Sequence, residues 1–129
     1  MIIMVRYPKD ITKTIKEFEY FAPTKLSDVI ALLEKYGKKA AILAGGTDLV
    51  PLMKLRALTP EVVISLKNIA GLDYIRREQG KICIGALTKV SSIQKSEIIK
   101  KELPSLHQAP CAFATPQIRN MATIGGNIC

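Results

Sequence analysis

The chain has 129 residues, 48% of them hydrophobic, enough for one globular domain or two small lobes sharing a core, and this excludes wholesale disorder. Nineteen Lys and Arg against eleven Asp and Glu give a net charge of +8, but the basic residues are scattered among only four Tyr, three Phe and no Trp, so no nucleic-acid stacking surface is expected. Cys83, Cys111 and Cys129 form no CxxC pair and no apolar run is long enough to span a bilayer or serve as a signal peptide, which points to reduced, mostly buried thiols in a cytoplasmic protein without membrane association or a metal site.

Residues 1–17 show no regular pattern and read as an N-terminal extension. The first strand is expected at Phe18-Glu19-Tyr20-Phe21, closed off by Ala22-Pro23. Thr24 stands where a helix N-cap belongs, Leu26, Val29, Ile30, Leu32, Leu33 and Tyr36 recur at helical spacing, and Gly37 takes the C′ position. An amphipathic helix of about three turns follows from this spacing, with Lys35 and Lys38 near its negative end. Ala40-Ala41-Ile42-Leu43 is a continuous apolar run, the pattern of a strand buried on both faces in a parallel sheet. A glycine loop then leads into a helix from Leu49 to about Arg56, which Thr47-Asp48 can cap and whose first turn tolerates Pro51. Val62-Val63-Ile64-Ser65-Leu66 completes a β-α-β-loop-α-β unit.

The pattern changes after residue 68. Strand-like stretches at 72–77 and 81–87 flank Glu78-Gln79-Gly80, a hairpin signature, so an antiparallel second lobe is expected from 69. Helical spacing returns in Val90, Ile93, Ile98 and Ile99, a further helix is expected from Pro104 to about Phe113, and a short helix or turn covers 117–122. His107 reads as a packed helix residue. The chain offers no catalytic side-chain constellation, no paired carboxylates and no His/Cys cluster of metal spacing, so any redox chemistry must come from a bound cofactor.

Two glycine loops carry the chemistry: Ala44-Gly45-Gly46-Thr47-Asp48-Leu49 and Thr123-Ile124-Gly125-Gly126-Asn127. In the first, a strand passes into a helix start, so backbone N–H groups and the positive end of the helix dipole converge, the geometry of an anion site. An ordinary tight turn is the alternative. The second explains itself equally as a bulge or β-turn. Neither is GxxxxGK[ST] nor GxGxxG, which disfavours an NTPase or a Rossmann enzyme.

Taken together, Leu43-Ala44-Gly45-Gly46-Thr47-Asp48-Leu49-Val50-Pro51-Leu52-Met53-Lys54, Ile84-Gly85-Ala86-Leu87-Thr88 and Gln117-Ile118-Arg119-Asn120-Met121-Ala122-Thr123-Ile124-Gly125-Gly126-Asn127-Ile128-Cys129 resemble the FAD-binding medium subunit of molybdenum hydroxylases, the xanthine dehydrogenase and carbon monoxide dehydrogenase group. The resemblance runs from about Phe18 to Cys129. It implies an α+β fold of the FAD-binding PCMH type, that of vanillyl-alcohol oxidase, with a first βαβ lobe over 18–68 and an incomplete antiparallel second lobe over 69–129. It also implies that Leu43, Ala44, Gly45, Gly46, Thr47, Asp48 and Leu49 wrap the FAD pyrophosphate. Thr123, Ile124, Gly125, Gly126 and Asn127 complete that site, with Ala86 and Thr88 as secondary contacts. Phe113 falls where some relatives place an aromatic near the cofactor, though a core phenylalanine is the simpler reading, and Arg119 either offsets diphosphate charge or lies on the surface.

In this family, electrons from a molybdopterin-binding large subunit pass through iron-sulfur clusters on a small subunit to FAD and then to an external acceptor. Both subunits are therefore implied partners. Relatives continue past the second glycine loop, so the resemblance implies a truncated gene, a split subunit completed by a second chain, or a remnant or assembly module that does not retain FAD. Strand edges at 72–87 and 124–129 left unpaired by such a truncation would favour an oligomer or a hetero-complex.

Overall fold

The computed structural model describes residues 15–112 and 114–129. Most of the expected N-terminal extension, and Phe113, lie outside the described residues. Val62-Val63-Ile64-Ser65 forms strand β3 (Val62–Ser65), and all four residues are buried. It is the centre of a three-stranded parallel sheet ordered β1-β3-β2, flanked by β1 (Glu19–Phe21) and β2 (Ala40–Leu43). Tyr20 and Ala41 both stand in register with Val63. Ladders on both edges and side chains on both faces account for the run of β-branched residues in β3.

Helix α1 (Leu26–Tyr36) lays Val29 on this sheet against Val62, Ile64 and Ile69, with Leu32, Leu33 and Tyr36 packed around that cluster. The Tyr36 ring meets Phe21 of β1 at a centroid distance of 5.8 Å. Gly37 ends the helix as expected: its φ of +53° is the left-handed conformation that favours glycine, and its N–H donates to the Leu33 carbonyl. The helix start differs from the expectation. Lys25, not Thr24, is the N-cap residue, and no side chain caps the helix. The Lys25 carbonyl accepts from the N–H groups of Asp28 and Val29, and the Asp28 carboxylate in the first turn offers the charge the dipole favours.

The apolar strand β2 is not buried on both faces. It is an edge strand, and Ile42 remains 45% exposed. Helix α2 (Leu49–Lys54) follows and buries Met53. The hairpin appears as β4 (Ile75–Glu78) and β5 (Lys81–Ile84), shorter than the expected stretches, with Gln79 and Gly80 both at positive φ in the two-residue turn.

The helical spacing after residue 89 resolves into two helices, α3 (Val90–Lys95) and α4 (Glu97–Glu102), broken at Ser96. Ser96 caps α4, its hydroxyl accepting from the Ile99 N–H, while Ile93 and Ile99 are both buried. Ser96→Ala is expected to cost about 1 kcal/mol of unfolding free energy in a urea titration, with Ser96→Asp close to wild type. Helices α5 (Pro104–Ala112), α6 (Pro116–Arg119) and α7 (Ile124–Ile128) complete the described chain. Residues 124–129, expected to leave a strand edge, are thus largely helical. The thiols also depart from expectation: Cys83 is half-buried, and Cys111 and Cys129 are exposed. No helix among the described residues is long and apolar enough to cross a membrane.

Candidate functional site

The first glycine loop begins where β2 ends at Leu43 and lasts until α2 begins at Leu49. Its two glycines serve different ends. Gly46 holds φ at +79°, which turns the chain out of the strand toward the helix. A Cβ at Gly45 would overlap the Met121 carbonyl oxygen and stand 3.0 Å from the Ala122 Cα, so here the absent side chain admits another stretch of backbone. Among the described residues, no protein acceptor takes the N–H groups of Gly46, Thr47 or Asp48. Asp48 occupies the N-cap position of α2 but is exposed, helical in backbone, and makes no side-chain capping bond. A capping bond would have little to take, because the Val50 N–H donates to the Gly46 carbonyl at 3.2 Å and Pro51 has no N–H, so the open donors are those of the turn itself.

The second glycine pair is neither bulge nor β-turn. Thr123 caps α7, and Gly125 and Gly126 lie in that helix's first turn, with the Gly126 N–H donating to Thr123 Oγ1 at 3.2 Å. The Gly125 N–H donates to the Ala86 carbonyl at 2.9 Å, the Ile124 N–H to the Thr88 carbonyl at 2.9 Å, and the Asn127 N–H to the Thr123 carbonyl at 3.1 Å. A Cβ on Gly125 would stand 2.8 Å from the Ala86 oxygen. The backbone amides of this segment are therefore spent, those of Ile124 and Gly125 on residues 88 and 86 and those of Gly126 and Asn127 on Thr123. The two loops are not equivalent: one keeps open donors, the other is a buttress.

Together they border a cleft of about 520 Å³. Of the expected site residues, Ala44, Gly45, Gly46, Thr47, Asp48, Leu49, Ala86, Thr123, Gly125, Gly126 and Asn127 line it, while Leu43, Thr88 and Ile124 do not. Thr88 is 1% exposed, and its hydroxyl accepts from the Tyr74 N–H at 3.1 Å and donates to the Tyr74 carbonyl at 2.9 Å. The rest of the lining is mostly apolar, with Ile42, Leu52, Leu58, Leu66 and Leu87. Sequence reasoning missed this lining, although the apolar run of β2 was its signal: Ile42, 45% exposed, lines the cleft.

A second cavity of about 380 Å³ shares Ala44, Gly45, Leu87 and Thr123 with the first and adds Lys67, Lys89, Asp73 and Asn120. Arg119 and His107 line neither cavity. The described residues hold no group of three or more His, Cys, Asp or Glu that could bind a metal ion.

An open-donor turn at a helix start, in a cleft with apolar lining and next to a cavity that carries Lys67 and Lys89, suits an extended ligand carrying an anionic centre. The family model for the FAD-binding domain in molybdopterin dehydrogenase matches residues 16–129. The chain belongs to this family. Its cofactor is FAD.

Among curated relatives, the carbon monoxide dehydrogenase medium chain of Hydrogenophaga pseudoflava is 43% identical over 111 residues, covering 86% of this chain. The nicotinate dehydrogenase FAD-subunit of Eubacterium barkeri is 43% identical over 115 residues, covering 88%. A solved carbon monoxide dehydrogenase from Hydrogenophaga pseudoflava, lacking the Mo-pyranopterin moiety, aligns with a TM-score of 0.86 at 42% identity over 89% of this chain. The chain spans 39% of each of those two relatives and 40% of that solved chain.

Proposed function

We propose that the 520 Å³ cleft is the FAD diphosphate site and that the chain is the FAD-holding portion of a subunit passing electrons onward in a molybdenum hydroxylase. The observation that carries this reading is the set of unspent N–H groups at Gly46, Thr47 and Asp48, beside a Gly45 whose missing Cβ lets residues 121–122 close on the loop. Backbone donors at a helix start bind a diphosphate without a buried lysine, and the lining of the cleft includes no lysine or arginine.

In this proposal Leu43, Ala44 and Leu49 frame the donor turn, and the Thr47 hydroxyl and Asn127 side chain add polar contacts. Gly125 and Gly126 let the buttress approach closely, Thr123 and Ile124 fix its direction, and Ala86 forms the floor between the two glycine segments. Thr88 acts from behind, since its hydroxyl is already engaged with Tyr74. The exposed carboxylate of Asp48 is best placed to accept from a ribose hydroxyl. The apolar lining keeps water from the groups laid along it.

The fold assignment that goes with this reading is of PCMH type, with a first lobe over 18–68 and a second over 69–129, and FAD extended between them. When bound, FAD supplies the redox chemistry. The protein supplies position and electrostatics. The proposed partners are a molybdopterin-binding large subunit and an iron-sulfur small subunit, with electrons leaving FAD for an external acceptor.

Titration of the full chain with FAD, read by quenching of flavin fluorescence, tests the site. Saturable uptake of one FAD per chain is expected, with ADP competing and riboflavin, which lacks the diphosphate, binding at least about 100-fold more weakly. Riboflavin binding as tightly as FAD would refute the diphosphate cleft. A folded chain that takes up no FAD at about 100 μM would return the non-binding remnant reading.

A further inference from the structure

Arg119 lines neither cavity, yet it is held more firmly than a surface arginine. Its Nη1 donates to the Pro110 carbonyl at 3.1 Å and to the Ala114 carbonyl at 2.9 Å. Pro110 lies in the last turn of α5, where carbonyls lack amides in helical register and favour a nearby cation. Ala114 has φ of +59°, a left-handed conformation unfavourable for a residue with a Cβ. One guanidinium thus pins both the end of α5 and the strained residue that turns the chain toward α6.

The corner is tied to the cleft by short connections. Thr115 caps α6 through its hydroxyl, and the N–H groups of Met121 and Ala122 both donate to the Ile118 carbonyl, at 3.0 and 2.7 Å. The Met121 carbonyl then sits in the space where Gly45 has no Cβ, and the Ala122 carbonyl accepts from the Val90 N–H at 3.0 Å. One residue further on, Thr123 caps α7. Only a few residues separate the Arg119 clamp from the backbone that closes on the first glycine loop.

We infer that Arg119 is a positioning residue for the FAD cleft: by pinning the α5–α6 corner it holds Met121 and Ala122 against the first glycine loop. This rests on the cleft being the diphosphate site. It differs from a direct role in which the guanidinium neutralises the diphosphate. A planar guanidinium serves two carbonyls in fixed directions, which a lysine ammonium reproduces poorly.

The test compares the chain as wild type, Arg119→Ala, Arg119→Lys, Ala114→Gly and the Arg119→Ala/Ala114→Gly double variant. Two readouts are used: amide hydrogen exchange of Val90 and Ile124 without FAD, and FAD affinity as a function of salt. Loss of the clamp is expected to speed exchange at both amides about tenfold and to weaken FAD about fivefold, with unchanged salt dependence. Arg119→Lys should fall between wild type and Arg119→Ala. Ala114→Gly should recover part of both losses in the double variant, because glycine takes the left-handed conformation without help.

Unchanged exchange at Val90 and Ile124 in Arg119→Ala overturns the inference. So does a flattened salt dependence with no rescue by glycine, the signature of a guanidinium on the diphosphate itself. If the wild-type chain takes up no FAD, the cleft reading is the one that fails, and exchange in the FAD-free chain decides the Arg119 clamp separately.

Discussion

Gly45→Val is expected to abolish FAD retention and to destabilise the fold. The Cβ alone would overlap the Met121 carbonyl oxygen and press on the Ala122 Cα, and a β-branched side chain adds two methyl groups in the same direction. Both obstacles are backbone, so no side-chain rotation relieves them. Either the β2–α2 loop moves off its donor geometry or residues 121–122 move away, and each movement opens the cleft. Overpacking of this kind costs about 3 kcal/mol, measured by urea unfolding, and FAD affinity should fall at least about 100-fold.

Gly71→Ala is the control. Gly71 has φ of +78° but nothing within 4 Å of a new Cβ, so it should lose about 1 kcal/mol through backbone strain alone and keep its FAD affinity. FAD binding by Gly45→Val at wild-type strength would sink the proposed role of this junction.

Much of the architecture was legible because local and tertiary preferences agree. Val62-Val63-Ile64 is strand-forming by branching and buried by position, and Gly37 ends α1 because only its backbone freedom fits there. The Gln79-Gly80 turn follows similarly from local chemistry. Where expectations failed, the deciding interaction was remote in sequence or spent on function. Ile42 reads as a doubly buried strand residue, but it lines the cleft. Thr24 has the chemistry of a cap, yet the chain enters α1 one residue later.

The second glycine pair shows the limit most clearly. Its helical conformation depends on the Thr123 cap and on acceptors at Ala86 and Thr88, nearly forty residues earlier in the chain. No short-range pattern announces such a pairing. The Gly-Gly pair that the two segments share goes with an expected role for both at one pyrophosphate. The hydrogen-bond accounting separates them, because donors already paired within the protein cannot also serve a ligand. The sequence places both loops at the site, while the division of labour between them is a property of the folded backbone.

That division gives Thr88 an unusual weight for a residue whose side chain reaches neither cavity. Its hydroxyl clasps Tyr74 ahead of the hairpin, and its carbonyl receives the Ile124 N–H of the buttress. Thr88→Val keeps the shape but leaves the Tyr74 N–H without its acceptor, whereas the Tyr74 carbonyl still accepts from Gly85 at 2.8 Å. The expected loss is about 2 kcal/mol by urea unfolding. Thr88→Ser, which keeps both hydroxyl bonds and forfeits one buried methyl, should lose about 1 kcal/mol.

FAD binding separates support from contact. At a temperature where the valine variant remains fully folded, its affinity should stay within about threefold of wild type, because the hydroxyl serves the backbone and not the cofactor. A fall of about 100-fold under those conditions would place the Thr88 hydroxyl on the ligand and require it to break with Tyr74 on binding. The opposite stability order, with valine near wild type and serine impaired, would show that the methyl rather than the hydroxyl secures the hairpin to the second glycine segment.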